Sequence, residues 1–279
     1  MKNFWIIVVS AAVAAVVTAV LFALLGYEAP SWLGGAMGGV VSGLVSVKLV
    51  EKRFSELVSD ECSASAKNNP LTFDALWSSP SEKDWHAALG QYWGQVSAKN
   101  LDLEKRLDQL HPNHIKEMNP QSWLLFLRDE YYPWKYTDPR RLKTTTQHLN
   151  KHVQDQGVDH LYSIRDEIFA EAEMSVESGL KAAKKIGGLG TAGASGLLSL
   201  LFPHQYGTVD QFVVKRLLEV SDLPEIAEVR KMKPQNISLR HGVLLIEIMQ
   251  RKAQRLNEQF GTDFWTPRKV DMVMWGIGR

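Results

Sequence analysis

Apolar and polar positions divide the chain into two unlike parts. From Phe4 to Tyr27 the residues are almost all apolar, and a second apolar run, richer in glycine, extends from Trp32 to Val50. The charged side chains before residue 51 are Lys2, Glu28 and Lys48 alone. Each run is long enough to cross a hydrocarbon layer of ~30 Å, and neither keeps the polar side that a helix on a water-soluble core would show. The turn Gly26-Tyr27-Glu28-Ala29-Pro30-Ser31 is short, so the pattern predicts a two-helix transmembrane hairpin over 1–50, with spans at about 4–27 and 32–50. Gly34/Gly38, Gly35/Gly39 and Gly39/Gly43 have the spacing that lets helix backbones approach in lipid. Lys2 lies at one end of the hairpin path and Lys48, Lys52 and Arg53 at the other, which puts both termini on the cytoplasmic side. The expected place is the cell (inner) membrane, multi-pass, with the lipid bilayer as a partner.

Beyond residue 50 the period becomes helical. Trp85, Leu89, Tyr92 and Val96 form an amphipathic stripe, extended by Leu103, Leu107 and Leu110. Ser79-Pro80-Ser81 followed by acidic residues reads as a helix start. Lys143 to about Gln154 and Asp159 to Ala172 read as helices broken at Gly157. Leu239 to Phe260 reads as one helix, capped by Asn236-Ile237-Ser238 and ended by Gly261. Thr266-Pro267 opens the last helix, with Val270, Val273 and Met274 inward; Asp271 either approaches Asp210 or, as is expected, faces water. No strand ladder emerges. The expected fold class is all-α: the membrane hairpin, a helical connector over 51–118 and a soluble helical domain over 119–279.

The stretch Ser175–Val220 carries the most chemical information. Val176, Leu180, Ala183 and Ile186 recur at helical spacing; Gly187 and Gly188 stop that helix, and Thr191 to Leu201 starts another. The product is a helix–hairpin–helix with its corner at Gly188-Leu189-Gly190. Two glycines let a phosphate approach backbone N–H groups at the start of the second helix, whose dipole favours an anion. Lys181, Lys184 and Lys185 add positive charge beside it. Gly188, Gly190 and Gly193 also spell GxGxxG, but no strand precedes them, so a dinucleotide site is not supported.

With Gly188-Leu189-Gly190-Thr191, then Ala194, and a later Val209-Asp210 opening a helix that continues Val213-Val214-Lys215-Arg216-Leu217, this stretch resembles the helix–hairpin–helix DNA glycosylase superfamily over residues 175–220. The resemblance implies DNA phosphate binding by Gly188, Leu189, Gly190, Thr191, Lys184 and Lys185. It also implies that Asp210 is the carboxylate that assists departure of a flipped base. Bifunctional members carry a lysine where this chain has Ala192, so the implied type is monofunctional. Members with an iron–sulfur cluster need four cysteines; Cys62 is the single cysteine here, and no cofactor is expected. The alternative is a non-enzymatic membrane-bound nucleic-acid-binding or protein-interaction scaffold built on an inactive copy of the fold.

Phe126 to Thr146 interleaves aromatic and basic residues. Tyr132, Trp134, Lys135, Tyr136, Arg140, Arg141 and Lys143 are candidate nucleic-acid contacts, since aromatics stack on unpaired bases and cations follow phosphates. The alternative is a structured segment whose aromatics are core. A formal net charge of +1 requires any DNA-binding surface to be a local patch. His148/His152 have helical i, i+4 spacing, but no third ligand accompanies them, so no metal is assigned and the histidines are expected to face solvent.

Overall fold

The computed structural model describes residues 71–277. The expected membrane hairpin over 1–50, the start of the connector and Cys62 lie outside these residues. Among the described residues the chain is all-helical, with no strand, and no helix is long and apolar enough to cross a membrane.

Local sequence sets most helix ends. Phe73–Trp77 (α1), Glu82–Gln95 (α2), Ala98–Asp108 (α3) and Pro112–Lys116 (α4) begin at Thr72, Ser81, Ser97 and His111. The Thr72 and Ser81 hydroxyls accept backbone N–H groups that the first turn would otherwise leave unpaired. Pro120–Leu125 (α5) runs through a π-helical segment, Phe126–Tyr131, into Tyr132–Lys135 (α6). Pro133 has no N–H to return to the carbonyl of Asp129, and the helix widens there. Asp138 caps Pro139–Gln156 (α7), and Gly157, at φ 87°, separates it from Val158–Met174 (α8). Val176–Ala183 (α9) and Thr191–Leu201 (α10) flank the glycine corner. Gln211–Leu217 (α11), Ile226–Val229 (α12), Leu239–Phe260 (α13) and Pro267–Gly276 (α14) complete the described chain.

The core is built around α10, in which every residue but Ala192 is buried. Leu197, Leu198 and Leu201 are fully enclosed, each contributing roughly 1.5–3 kcal/mol relative to exposure. Helix α13 reaches α10 through Gly242, where a Cβ would overlap the Thr191 methyl.

The connector expected over 51–118 is not a separate layer within the described residues. Leu71–Arg279 forms one compact unit, and α2 packs along α14, far away in sequence. The Trp85 and Trp265 rings meet edge-on at 5.6 Å. The Lys252 ammonium sits 4.9 Å and 4.8 Å from the Trp77 and Trp85 rings and donates to the Trp77 carbonyl. Arg268 of α14 donates to Glu104 of α3 at 3.2 Å, both side chains buried. The aromatic stripe of α2 is therefore spent on the C-terminal helices, and the boundary expected at residue 118 is replaced by a shared core.

Candidate functional site

The corner is exposed at its two glycines and anchored between them. Gly188 and Gly190 face solvent while Leu189 is buried. Gly188 holds φ 91°, and a Cβ there would stand 2.8 Å from the Thr145 carbonyl oxygen; both facts require glycine. Residue 190 is the N-cap of α10 and, being glycine, supplies no side-chain acceptor for the first-turn N–H groups. Thr191 is buried against α13, so of the implied phosphate grip its backbone, not its hydroxyl, is the part near the surface. Lys184 is exposed at the end of α9. Lys185 is ion-paired with Glu167, and Lys181 with Glu177 at 2.7 Å, so both are partly neutralised.

The aromatic–basic segment lies against this corner, but mostly as packing. Tyr132 is fully buried, and its hydroxyl donates to the Gly187 carbonyl at 2.5 Å. Enclosed in this way it cannot stack on a base, contrary to the expectation that it contacts nucleic acid. Tyr131 donates to the Gly193 carbonyl. Trp134 is half-buried, gives its indole N–H to Glu104 and carries the Arg268 guanidinium 5.5 Å over its ring. Its face is thus already used. Tyr136 is half-buried, its hydroxyl set against Gly193, and burial pushes that phenol up to about 12.

Helix α7 separates the three cations that follow. Thr145, His148 and His152 face the corner through contacts with Gly187 and Gly188, and Arg141 is one turn before Thr145, whose hydroxyl donates to the Arg141 carbonyl at 2.8 Å. Arg141 is exposed and close enough to act electrostatically on Lys135 and Tyr136. At 3.6 residues per turn, Arg140 and Lys143 are rotated roughly 140° and 160° from Thr145. They are exposed on the far side of α7. His152, expected to face solvent, is instead buried, with its Nε2 3.1 Å from His160 Nδ1. Among the described residues no group of three metal-ligating side chains occurs.

Asp210 is held by the segment that precedes it. Tyr206 donates to the carbonyls of Ala172 and Ser175. Gly207 is wedged against Met249 and the Pro267 carbonyl. The Thr208 N–H donates to Asp271 Oδ2 at 3.1 Å, and the Val209 N–H to Ser195 Oγ at 2.9 Å. This ladder fixes residues 206–209 along α10 and α14. Asp210 then caps α11: its Oδ1 accepts from Phe212 and Val213 at 2.8 and 3.2 Å. Oδ2 takes no hydrogen bond among the described residues, and the residue is half-buried.

Two further groups complete the cluster. Asp271 does not face water but is buried, 7 % exposed. Burial, and then the Asp210 charge, push its carboxyl up to about 7, against the pull of Lys135, Arg268 and the Thr208 side chain. Lys135, the last residue of α6, is near enough to both carboxylates to feel their charge. Burial lowers its ammonium's pKa, opposed by Asp210 and Asp271. The sequence signal for Asp271 was its place between Val270 and Met274 on an inward helix face, one turn after Arg268. Two clefts of about 310 and 630 Å³ lie elsewhere on the unit, and neither is lined by Asp210 or by the corner. No protein-family model matches the chain, and no curated protein or solved structure matches it.

Proposed function

We propose that the chain is a membrane-anchored, cytoplasmic DNA-binding protein that acts as a monofunctional DNA glycosylase-like enzyme, with the bilayer reached through residues 1–50. One observation carries the reading: an uncapped helix N-terminus at an exposed glycine corner and a carboxylate with a vacant Oδ2 are both fixed to α10. Val209 and Thr191 meet there, both against Gly242 of α13. A backbone phosphate held at Gly188–Thr191, with Arg141 and Lys184 alongside, leaves the adjoining sugar to Asp210. In that arrangement Asp210 stabilises the cationic sugar as the bond to the base breaks, because a fixed negative charge in a half-buried site favours developing positive charge.

The test is abasic-site formation on a panel of duplexes carrying damaged bases. Wild type is expected to produce abasic sites on at least one, and Asp210→Asn to lose that activity while keeping its affinity for DNA. A panel that yields no abasic site with wild type rejects the enzyme. The non-enzymatic alternative, a membrane-bound nucleic-acid-binding scaffold, is favoured by the position of the two clefts away from Asp210. It predicts salt-sensitive DNA binding with no product on any duplex.

A further inference from the structure

The smaller of the two clefts, about 310 Å³, lies between the end of α1, the connector from α11 to α12, and α13. That volume is at the lower end of the range for small-molecule sites, about 300–1,000 Å³. Its walls are tied to one another. The Asp74 carboxylate of α1 accepts the Ser221 N–H and hydroxyl at 2.8 and 3.0 Å, and Arg251 of α13 is ion-paired with Glu225. Trp77, Leu223, Pro224 and Ile248 give the cleft an apolar lining.

Two cations on this lining have no paired counter-charge. Lys252 is buried, 9 % exposed. Its ammonium donates to the Trp77 carbonyl, lies over two indole rings and makes no ion pair among the described residues. One protein acceptor leaves the other N–H bonds of an ammonium open. Arg255 acts electrostatically on Lys252 and makes no hydrogen bond or ion pair among the described residues. Asp222 also lines the cleft and attracts Lys252, but it pairs with neither cation. A buried charge without a paired counter-charge is costly to keep, and a bound anion would supply one.

We propose that this cleft is a binding site for a small organic anion, a carboxylate or phosphate ester on a compact apolar body, with the anion held between Lys252 and Arg255 and the body against Trp77, Leu223 and Pro224. The guanidinium fork of Arg255 suits either head group, and the Lys252 ammonium supplies a point charge at the inner end. The site is separate from the glycine corner, and its occupation does not depend on DNA binding. The other charged groups on the lining are Arg251, Asp222 and Glu225. Burial, and then Arg255, push the Lys252 ammonium down to about 8, against the pull of Asp222. Lys252 therefore loses its charge between about pH 7 and 9, a range in which an ordinary carboxylate ligand keeps its own.

The experiment titrates the full chain calorimetrically with benzoate and phenyl phosphate, and with uncharged benzamide and inorganic phosphate as controls. Wild type is expected to bind at least one of the two organic anions, the one bound identifying the head group, to bind inorganic phosphate more weakly and to leave benzamide unbound. Arg255→Gln, at an exposed position, should weaken binding by roughly fivefold or more. Lys252→Met, which keeps a stem beside the two indoles, should abolish it. Benzoate affinity in wild type should fall about tenfold from pH 7 to pH 9 as Lys252 deprotonates, a change that a lysine with a purely structural role would not produce. Wild type that binds neither organic anion, or that binds benzamide or inorganic phosphate equally well, overturns the site. So does an affinity that is the same in Arg255→Gln, or the same at both pH values.

Discussion

At the residue scale the most distinctive group is Asp271. Its carboxyl titrates near 7 in the folded chain and near 4 when unfolded. Between those values the folded state keeps a proton that the unfolded state has released, so this group's contribution to stability falls as pH rises from about 4 through 7 and then levels off. Asp271→Asn mimics the protonated form and can still accept from Thr208. It should match wild type near pH 4 and exceed it near pH 8, by up to ~4 kcal/mol. Urea unfolding at both pH values checks this, and equal stability of the two proteins at pH 8 would contradict it. Asp210 separates two roles by substitution. Asparagine caps helices about as well as aspartate, whereas alanine lacks an acceptor and should lower stability by about 1 kcal/mol. Activity lost in Asp210→Asn without a change in melting is therefore chemical in origin.

At the scale of elements, close approach at two glycines sets the geometry of the site. A Cβ at Gly242 overlaps the Thr191 methyl, and one at Gly193 overlaps the Tyr136 hydroxyl. Gly242→Ala should cost about 1–3 kcal/mol through a backbone shift, read as a melting temperature lower by roughly 2–10 °C. Unchanged melting would mean that α13 and α10 are not in contact there. Elements with strong local signals were legible beforehand. Helix α10 occupies Thr191–Leu201 and α13 occupies Leu239–Phe260, as their caps, Pro203 and Gly261 indicate. The π-helical turn at Phe126–Tyr131 was not legible, because hydrophobic period does not register one widened turn. Asp271 was misplaced for a related reason. An acid on an apolar helix face is read as solvated unless its partners are known, and of those partners Thr208 and Lys135 come from two other places in the chain.

At the scale of the molecule, the described chain is one helical unit in which residues 73–116 complete the core of the C-terminal helices. Trp85 and Tyr92 can pack locally as well as at long range, so the order of residues alone leaves their partners open. In the fold they pair with Trp265 and Trp275. The site was legible in part. The corner and Asp210 stand out by glycine spacing and cap chemistry, whereas the division of the cations depends on which side of α7 meets Gly188. That division makes a prediction: Arg140→Glu/Lys143→Glu should weaken DNA binding less than Arg141→Glu/Lys184→Glu. Equal losses in a gel shift would place the nucleic acid away from the corner. The central claim is that the glycine corner grips a phosphate backbone. Its most direct measurement is the affinity of the full chain for a short duplex as salt rises from about 50 to about 200 mM. The account predicts a linear fall of log affinity with log salt, with a slope reduced by ~0.9 for each phosphate contact removed in Arg141→Glu/Lys184→Glu. Affinity that is indifferent to salt, or to those two substitutions, would contradict it.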